Sequence, residues 1–148
     1  MTNVSRRNVL AGIGATAVAG GGYFGATGKS AAQGVLTPPQ LLDAVRKGKV
    51  LLVDVRRPDE WRATGIAEGA VPIDLRRRDF VDAVVKARNS ETLPVVVICA
   101  RGVRSRRMTR RLSQAGVLPI IDVPEGMLGS AAGPGWIRRG LPIQSWTG

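Results

Sequence analysis

The chain has 148 residues, with 22 lysines and arginines, 11 aspartates and glutamates, no histidine and one cysteine. A single cysteine excludes an internal disulfide, and the lack of histidine excludes imidazole from any chemistry done by this chain. The positive surplus suits small anions, an anionic membrane face or nucleic acid. We expect no nucleic-acid partner, because three Trp, two Phe and one Tyr offer few stacking surfaces and no nucleic-acid motif is present.

The first 34 residues have the composition of an export signal followed by a linker. Ser5-Arg6-Arg7-Asn8-Val9-Leu10 precedes a weakly apolar, Gly- and Ala-rich stretch, which is typical of a twin-arginine signal. Small residues at 30–32 offer a cleavage site, and the many glycines disfavour a membrane-spanning helix, with an uncleaved anchor as the open alternative. We therefore expect recognition by the twin-arginine translocation machinery and a periplasmic or otherwise exported protein. A cleaved signal would leave it without stable membrane association.

Residues 35–148 fit one small domain with one core. A Thr-Pro-Pro start predicts a helix over 37–47, which Gly48 ends. The continuous apolar run 50–55 is typical of a strand buried on both faces in a parallel sheet. A short helix over 59–64 follows, with a tryptophan as its core anchor.

The second half of the domain continues the alternation of strands and helices. A short strand is predicted over 71–73, and a helix over 79–88 with Asp79 as its cap. A central strand over 95–98 leads through a loop into a basic helix over 104–115. A last strand over 120–123 follows. Such alternation predicts an α/β domain with a mainly parallel sheet.

Cys99 stands where the apolar run 95–98 breaks into a loop with the sequence Ala100-Arg101-Gly102-Val103-Arg104-Ser105. A strand end, a glycine-containing loop and a helix N-terminus bring backbone N–H groups and a positive dipole to one point. Cationic neighbours favour a thiolate there, and the carboxyl end of a central parallel strand is where open α/β sheets bind ligands. We therefore predict that Cys99 is a nucleophile aimed at an anion, and that it is not a buried structural cysteine.

These residues resemble the active-site loop of single-domain rhodaneses, sulfurtransferases that carry sulfur as a cysteine persulfide. Three further segments match in the family's order: Asp54-Val55-Arg56-Arg57-Pro58-Asp59-Glu60-Trp61, Gly69-Ala70-Val71-Pro72 and Trp136-Ile137-Arg138-Arg139-Gly140-Leu141-Pro142-Ile143. The resemblance covers about 36–146. It implies a single rhodanese-like α/β domain over 35–148, with a mainly parallel central sheet flanked by helices. We expect no cofactor and no metal.

The resemblance also implies a mechanism. Cys99 would attack the outer sulfur of thiosulfate or a persulfide donor, keep that sulfur as a persulfide and pass it to a thiophilic acceptor. The small anionic donor would be bound by the loop residues Ala100, Arg101, Gly102, Val103, Arg104 and Ser105. Their amides would stabilise the terminal sulfur, and the two arginines would hold the oxyanion end of the donor.

Other residues of the matching segments would support this loop. We expect Asp54 to tether loop backbone or Arg56, and Ser105 to cap the helix without acting as a second nucleophile. The Gly-rich segment 126–135 is longer than the family's usual turn and bears on acceptor choice. Gly65 is followed by isoleucine where the family often has histidine.

Two alternative functions stay open. Some proteins of this fold are phosphatases or arsenate reductases, but they have one more residue between the cysteine and the arginine than the four between Cys99 and Arg104. A shorter loop predicts a cradle that is too small for a tetrahedral oxyanion. The second alternative is a non-catalytic sulfur- or protein-binding module that holds a persulfide without turnover.

Overall fold

The structure is a computed structural model that describes residues 34–148. The predicted export signal lies outside the described residues. The helices and strands, in chain order, are β1 Gly34–Val35, α1 Pro38–Arg46, β2 Leu51–Asp54, α2 Pro58–Thr64, β3 Ile66–Ala67, β4 Val71–Pro72, α3 Phe80–Ala87, β5 Val95–Ile98, α4 Val103–Gln114, β6 Ile120–Asp122, α5 Gly135–Arg138 and β7 Ile143–Gln144.

A five-stranded sheet with the order β1-β6-β5-β2-β4 forms the centre of the domain. Every neighbouring pair in it is parallel, and Val53 of β2 lies opposite Val97 of β5. The small strands β3 and β7 form a separate antiparallel pair. The predicted α/β class with a mainly parallel central sheet is therefore confirmed.

Each face of the sheet is covered by two helices, because alternate strand residues point to opposite sides. Val53 and Val97 pack with side chains of α3 and α4, including Phe80 and Leu112. The intervening strand residues pack with α1 and α5, whose Leu41 and Trp136 are fully buried. All four residues of β2 and of β5 are buried, as expected for central strands of a parallel sheet.

Several helices, strands and helix caps in the structure differ from those predicted from the sequence. Strands β1, β3 and β7 and helix α5 were not predicted from the sequence. Asp79 occupies the N-cap position of α3 but makes no side-chain cap hydrogen bond there, because its carboxylate accepts hydrogen bonds from Arg77 at 2.7 and 2.9 Å. Helix α4 begins at Val103 with Gly102 as its N-cap residue, one residue earlier than predicted.

Candidate active site

Cys99 follows the last residue of β5 and lies at the carboxyl edge of the sheet, with only 1% of the residue exposed. The backbone N–H of Gly102 donates to its sulfur, with an N···S distance of 3.2 Å. Its Sγ lies 3.6 Å from the Ser105 hydroxyl. The thiol is thus held beside the first turn of α4, where the helix dipole favours negative charge.

Ser105 does not cap α4, because it is the third residue of that helix. It is fully buried, and its hydroxyl donates back to the Gly102 carbonyl at 3.1 Å. That hydroxyl also lies beside the cysteine sulfur. The expectation of a helix cap was wrong, and the structure makes Ser105 a buried neighbour of the thiol.

Two glycines allow the Cys99 loop to pack against the chain that follows β6. Gly102 has φ +82°, and a Cβ there would lie 2.3 Å from the Pro124 carbonyl oxygen. Gly126 has φ +67°, and a Cβ there would meet the Ala100 carbonyl oxygen at 2.5 Å. Both positions therefore require glycine for conformation and for space.

Arg104 and Arg101 line the same cavity as the thiol but have different partners. Arg104 donates to both carboxylate oxygens of Glu60 at 2.6 Å, which makes a bidentate, half-buried ion pair. The hydrogen bond from Arg104 is the main reason that the pKa of Glu60 is lowered to about 2. Arg101 is exposed, and its guanidinium reaches the Gly129 carbonyl at 3.5 Å.

Asp54 and Arg56 form a buried ion pair at the end of β2. Their side chains are 0% and 1% exposed, and Arg56 donates to Asp54 through Nε and Nη2. The same guanidinium donates to the Thr64 hydroxyl and the Gly65 carbonyl, and the Arg56 amide donates to Asp54 Oδ1. The pair ties the end of the strand to the C-terminal end of α2, and Asp54 contacts Arg56 as expected.

The Gly-rich segment 126–135 lies directly on the Cys99 loop. The amides of Met127 and Leu128 donate to the carbonyls of Cys99 and Ala100 at 2.8 and 2.9 Å. Buried Glu125 fixes the far end of the segment, because it accepts from the Gly135 amide and from both Nε and Nη2 of Arg139. The segment is therefore a wall of the site.

A cavity of about 380 Å³ opens over Cys99. The residues that line it are Glu60, Cys99, Ala100, Arg101, Val103, Arg104 and Leu128. The structure thus brings five of the predicted site residues to one cavity, with Gly102 and Ser105 shaping its base. Asp54 and Arg56 do not line it.

A larger cleft of about 560 Å³ between the 75–76 segment and α4 is lined by four arginines and contains no nucleophile.

Glu60 and Leu128 are the cavity residues that sequence reasoning did not single out. Glu60 stood in a matching segment, but its partner is 44 positions away. The sequence signal that could have indicated Glu60 is a carboxylate in the first turn of the helix that follows a buried strand. Leu128 lies in the Gly-rich segment, whose path over the loop no local pattern reveals.

Within residues 34–148, the structure contains no cluster of Cys, Asp and Glu side chains suited to a metal ion. None of the helices described there is long and apolar enough to cross a membrane.

A family model described as the Rhodanese-like domain matches residues 37–131. The crystal structure of Rv0390 from M. tuberculosis is 28% identical, with a TM-score of 0.60, and the match covers 76% of this chain and 98% of that one. The polysulfide-sulfur transferase homodimer of Wolinella succinogenes is 24% identical, with a TM-score of 0.61 and coverage of 78% and 80%.

A tRNA uridine(34) hydroxylase of Chlamydia abortus is 27% identical over 112 residues, which is 72% of this chain and 34% of the relative. The chain therefore spans about a third of the length of the curated relatives that it matches.

Proposed function

This chain belongs to the family of rhodanese-like domains, and from that premise we propose that it is a sulfurtransferase that works through a Cys99 persulfide. The observation that carries the proposal is the position of the sulfur at the base of a cavity, with the Gly102 N–H directed at it and the first turn of α4 beside it. The similar fold of the polysulfide-sulfur transferase from Wolinella succinogenes supports it.

The proposed reaction has two displacement steps. The Cys99 thiolate attacks the outer sulfur of the donor, the S–S bond of the donor breaks, and its electron pair leaves with sulfite or with a thiol. The acceptor then attacks the terminal sulfur of the Cys99 persulfide, and the electron pair of that S–S bond returns to Cys99. The Gly102 amide and the α4 dipole stabilise the negative charge on the Cys99 thiolate before the first step and after the second.

Intact-mass measurement tests this proposal. The protein should gain the mass of one sulfur atom on exposure to thiosulfate or an organic persulfide and lose it on addition of cyanide. Cys99→Ser should gain none, because a hydroxyl without a neighbouring base is a poor nucleophile. Sulfur that is gained but not released to any acceptor would indicate a binding module. Hydrolysis of an aryl phosphate that depends on Cys99 and outpaces sulfur transfer would indicate the phosphatase alternative.

We also propose export through the twin-arginine pathway, supported by the Ser5-Arg6-Arg7 segment and the weakly apolar stretch that follows it. Replacing Arg6 and Arg7 by lysine keeps the charge and removes the paired guanidiniums. The precursor should then accumulate in the cytoplasm, and unchanged export of the Lys-Lys variant would contradict the proposal.

A further inference from the structure

Arg104, expected to hold the oxyanion end of a donor, has its binding fork already filled. Nη1 and Nη2 each donate to a different oxygen of Glu60 at 2.6 Å. A bidentate guanidinium–carboxylate pair occupies the end-on fork through which the guanidinium would bind another oxyanion in the same bidentate way. A donor anion can reach this fork only by displacing Glu60.

Glu60 is held firmly and carries a negative charge. The Arg57 backbone N–H donates to its Oε2 at 3.2 Å, in addition to the two bonds from Arg104. Its pKa of about 2 keeps the carboxylate ionised at neutral pH. Glu60 lines the same cavity as Cys99 and pairs with Arg104 and, at 3.4 Å, with Arg57 Nε. The charge of Arg104 is therefore already compensated when a donor enters, and the pair offers a dianion no net positive charge.

The remaining walls suit an organic group. Ala100, Val103 and Leu128 are apolar, and Val103 is 77% exposed. A volume of about 380 Å³ is in the range of small-molecule sites and far exceeds the needs of a small inorganic anion. Arg101 is the one cation in this lining without a carboxylate partner among the described contacts.

We infer that Glu60 determines donor specificity, directing the Cys99 cavity toward organic hydropersulfides of low negative charge and against dianions such as thiosulfate. This inference rests on the proposed function. The Cys99 thiolate would attack the outer sulfur of R–S–SH, the S–S bond of the donor would break, and its electron pair would leave on R–S. The proton of the outer sulfur then passes to R–S, so R–SH departs and a Cys99 persulfide anion remains.

Single-turnover loading of Cys99, followed by intact mass at several donor concentrations, tests the inference. The donors are thiosulfate and benzyl hydropersulfide. Glu60→Gln keeps the shape of the side chain and removes its charge. We expect kcat/KM for thiosulfate to rise about tenfold through a lower KM, which corresponds to about 1.4 kcal/mol. The same quantity for benzyl hydropersulfide should stay within about twofold of wild type, because the form that reacts is the neutral R–S–SH, which interacts far less with a carboxylate than a dianion does.

Two variants separate this role from a structural one. Glu68→Gln makes the same substitution at a carboxylate that pairs with Arg46 outside the cavity lining, and should leave the loading of Cys99 by both donors unchanged. In the double variant Glu60→Gln/Arg104→Ala, the gain for thiosulfate should disappear, because the released guanidinium is the group that binds it. A gain for thiosulfate that persists in the double variant, or one that Glu68→Gln reproduces, would overturn the inference.

A series of donors on wild-type protein tests the same point without substitutions at the site. Benzyl hydropersulfide and its para-carboxylate differ by one negative charge on one scaffold, so the carboxylate should load Cys99 with a higher KM. Equal loading of both, or unchanged thiosulfate use in folded Glu60→Gln, would overturn the inference while leaving sulfur transfer intact. Failure of every donor to add sulfur to Cys99 would overturn the proposed function as well.

Discussion

Removing the Asp54 carboxylate should destabilise the domain far more than removing any surface charge. Asp54 and Arg56 are essentially unexposed, and Arg56 donates to Asp54 at 2.7 to 3.0 Å through Nε and Nη2. Asp54→Ala leaves the guanidinium buried with only the Thr64 hydroxyl and the Gly65 carbonyl as partners. Two neutral acceptors do not compensate a buried cation.

Breaking a buried ion pair by removing one partner costs about 3–5 kcal/mol. Domains of this size have total unfolding free energies of about 5–15 kcal/mol, so the variant would lose a large share of its stability. Because 1 kcal/mol shifts the unfolding temperature of such a domain by about 4 °C, the midpoint should fall by about 12–20 °C.

Urea denaturation and calorimetry of three variants test this magnitude. Asp43→Ala breaks an exposed i,i+4 pair with Lys47 and should cost less than about 1 kcal/mol. Asp54→Leu/Arg56→Met replaces both charges by apolar groups and should recover most of the loss, since well-packed apolar residues often substitute for a buried pair. If Asp54→Ala costs no more than Asp43→Ala, the reasoning from burial is wrong.

Two further predictions follow from the loop and from Glu60. Gly102→Ala should abolish sulfur loading and lower the unfolding temperature more than Gly116→Ala does. Both glycines have φ near +80°, but of the two only Gly102 packs on backbone atoms. Equal effects of the two substitutions would contradict this. The pKa of Glu60 is lowered from 4.5 to about 2, so its contribution to stability is present above pH 4.5 and is lost as pH falls toward 2. The difference in urea midpoint between wild type and Glu60→Gln should therefore shrink over that range, and a difference that stays constant would count against it.

The sequence predicted the elements whose pattern is long or strongly apolar. The runs around β2 and β5, the capped helix α1 and the strand–loop–helix at Cys99 all follow from local spacing. Strands β1, β3 and β7 have two described residues each, which is too few for an alternation of apolar and polar residues to be recognised. These strands exist because distant partners, such as Ile121 for Gly34, supply their hydrogen bonds.

In the candidate site too, local features could be predicted from the sequence and long-range contacts could not. Cys99 and its loop are contiguous, so residue types and spacing alone pointed to them. The Arg104–Glu60 pair joins α4 to α2 across 44 positions, and only the folded sheet brings those two helix starts together. The residue type of Ser105 predicts a helix cap. In the structure, Gly102 occupies the N-cap position with a left-handed backbone conformation, so Ser105 lies inside the helix.

Within residues 34–148, the two outer strands of the central sheet are each two residues long, β1 at one side and β4 at the other. An outer strand exposes unpaired N–H and C=O groups that invite another chain to add to the sheet. Pro72 in β4 has no N–H to offer, and two residues give an incoming strand little to bind. The sheet is therefore protected against edge-to-edge aggregation by its shortest strands.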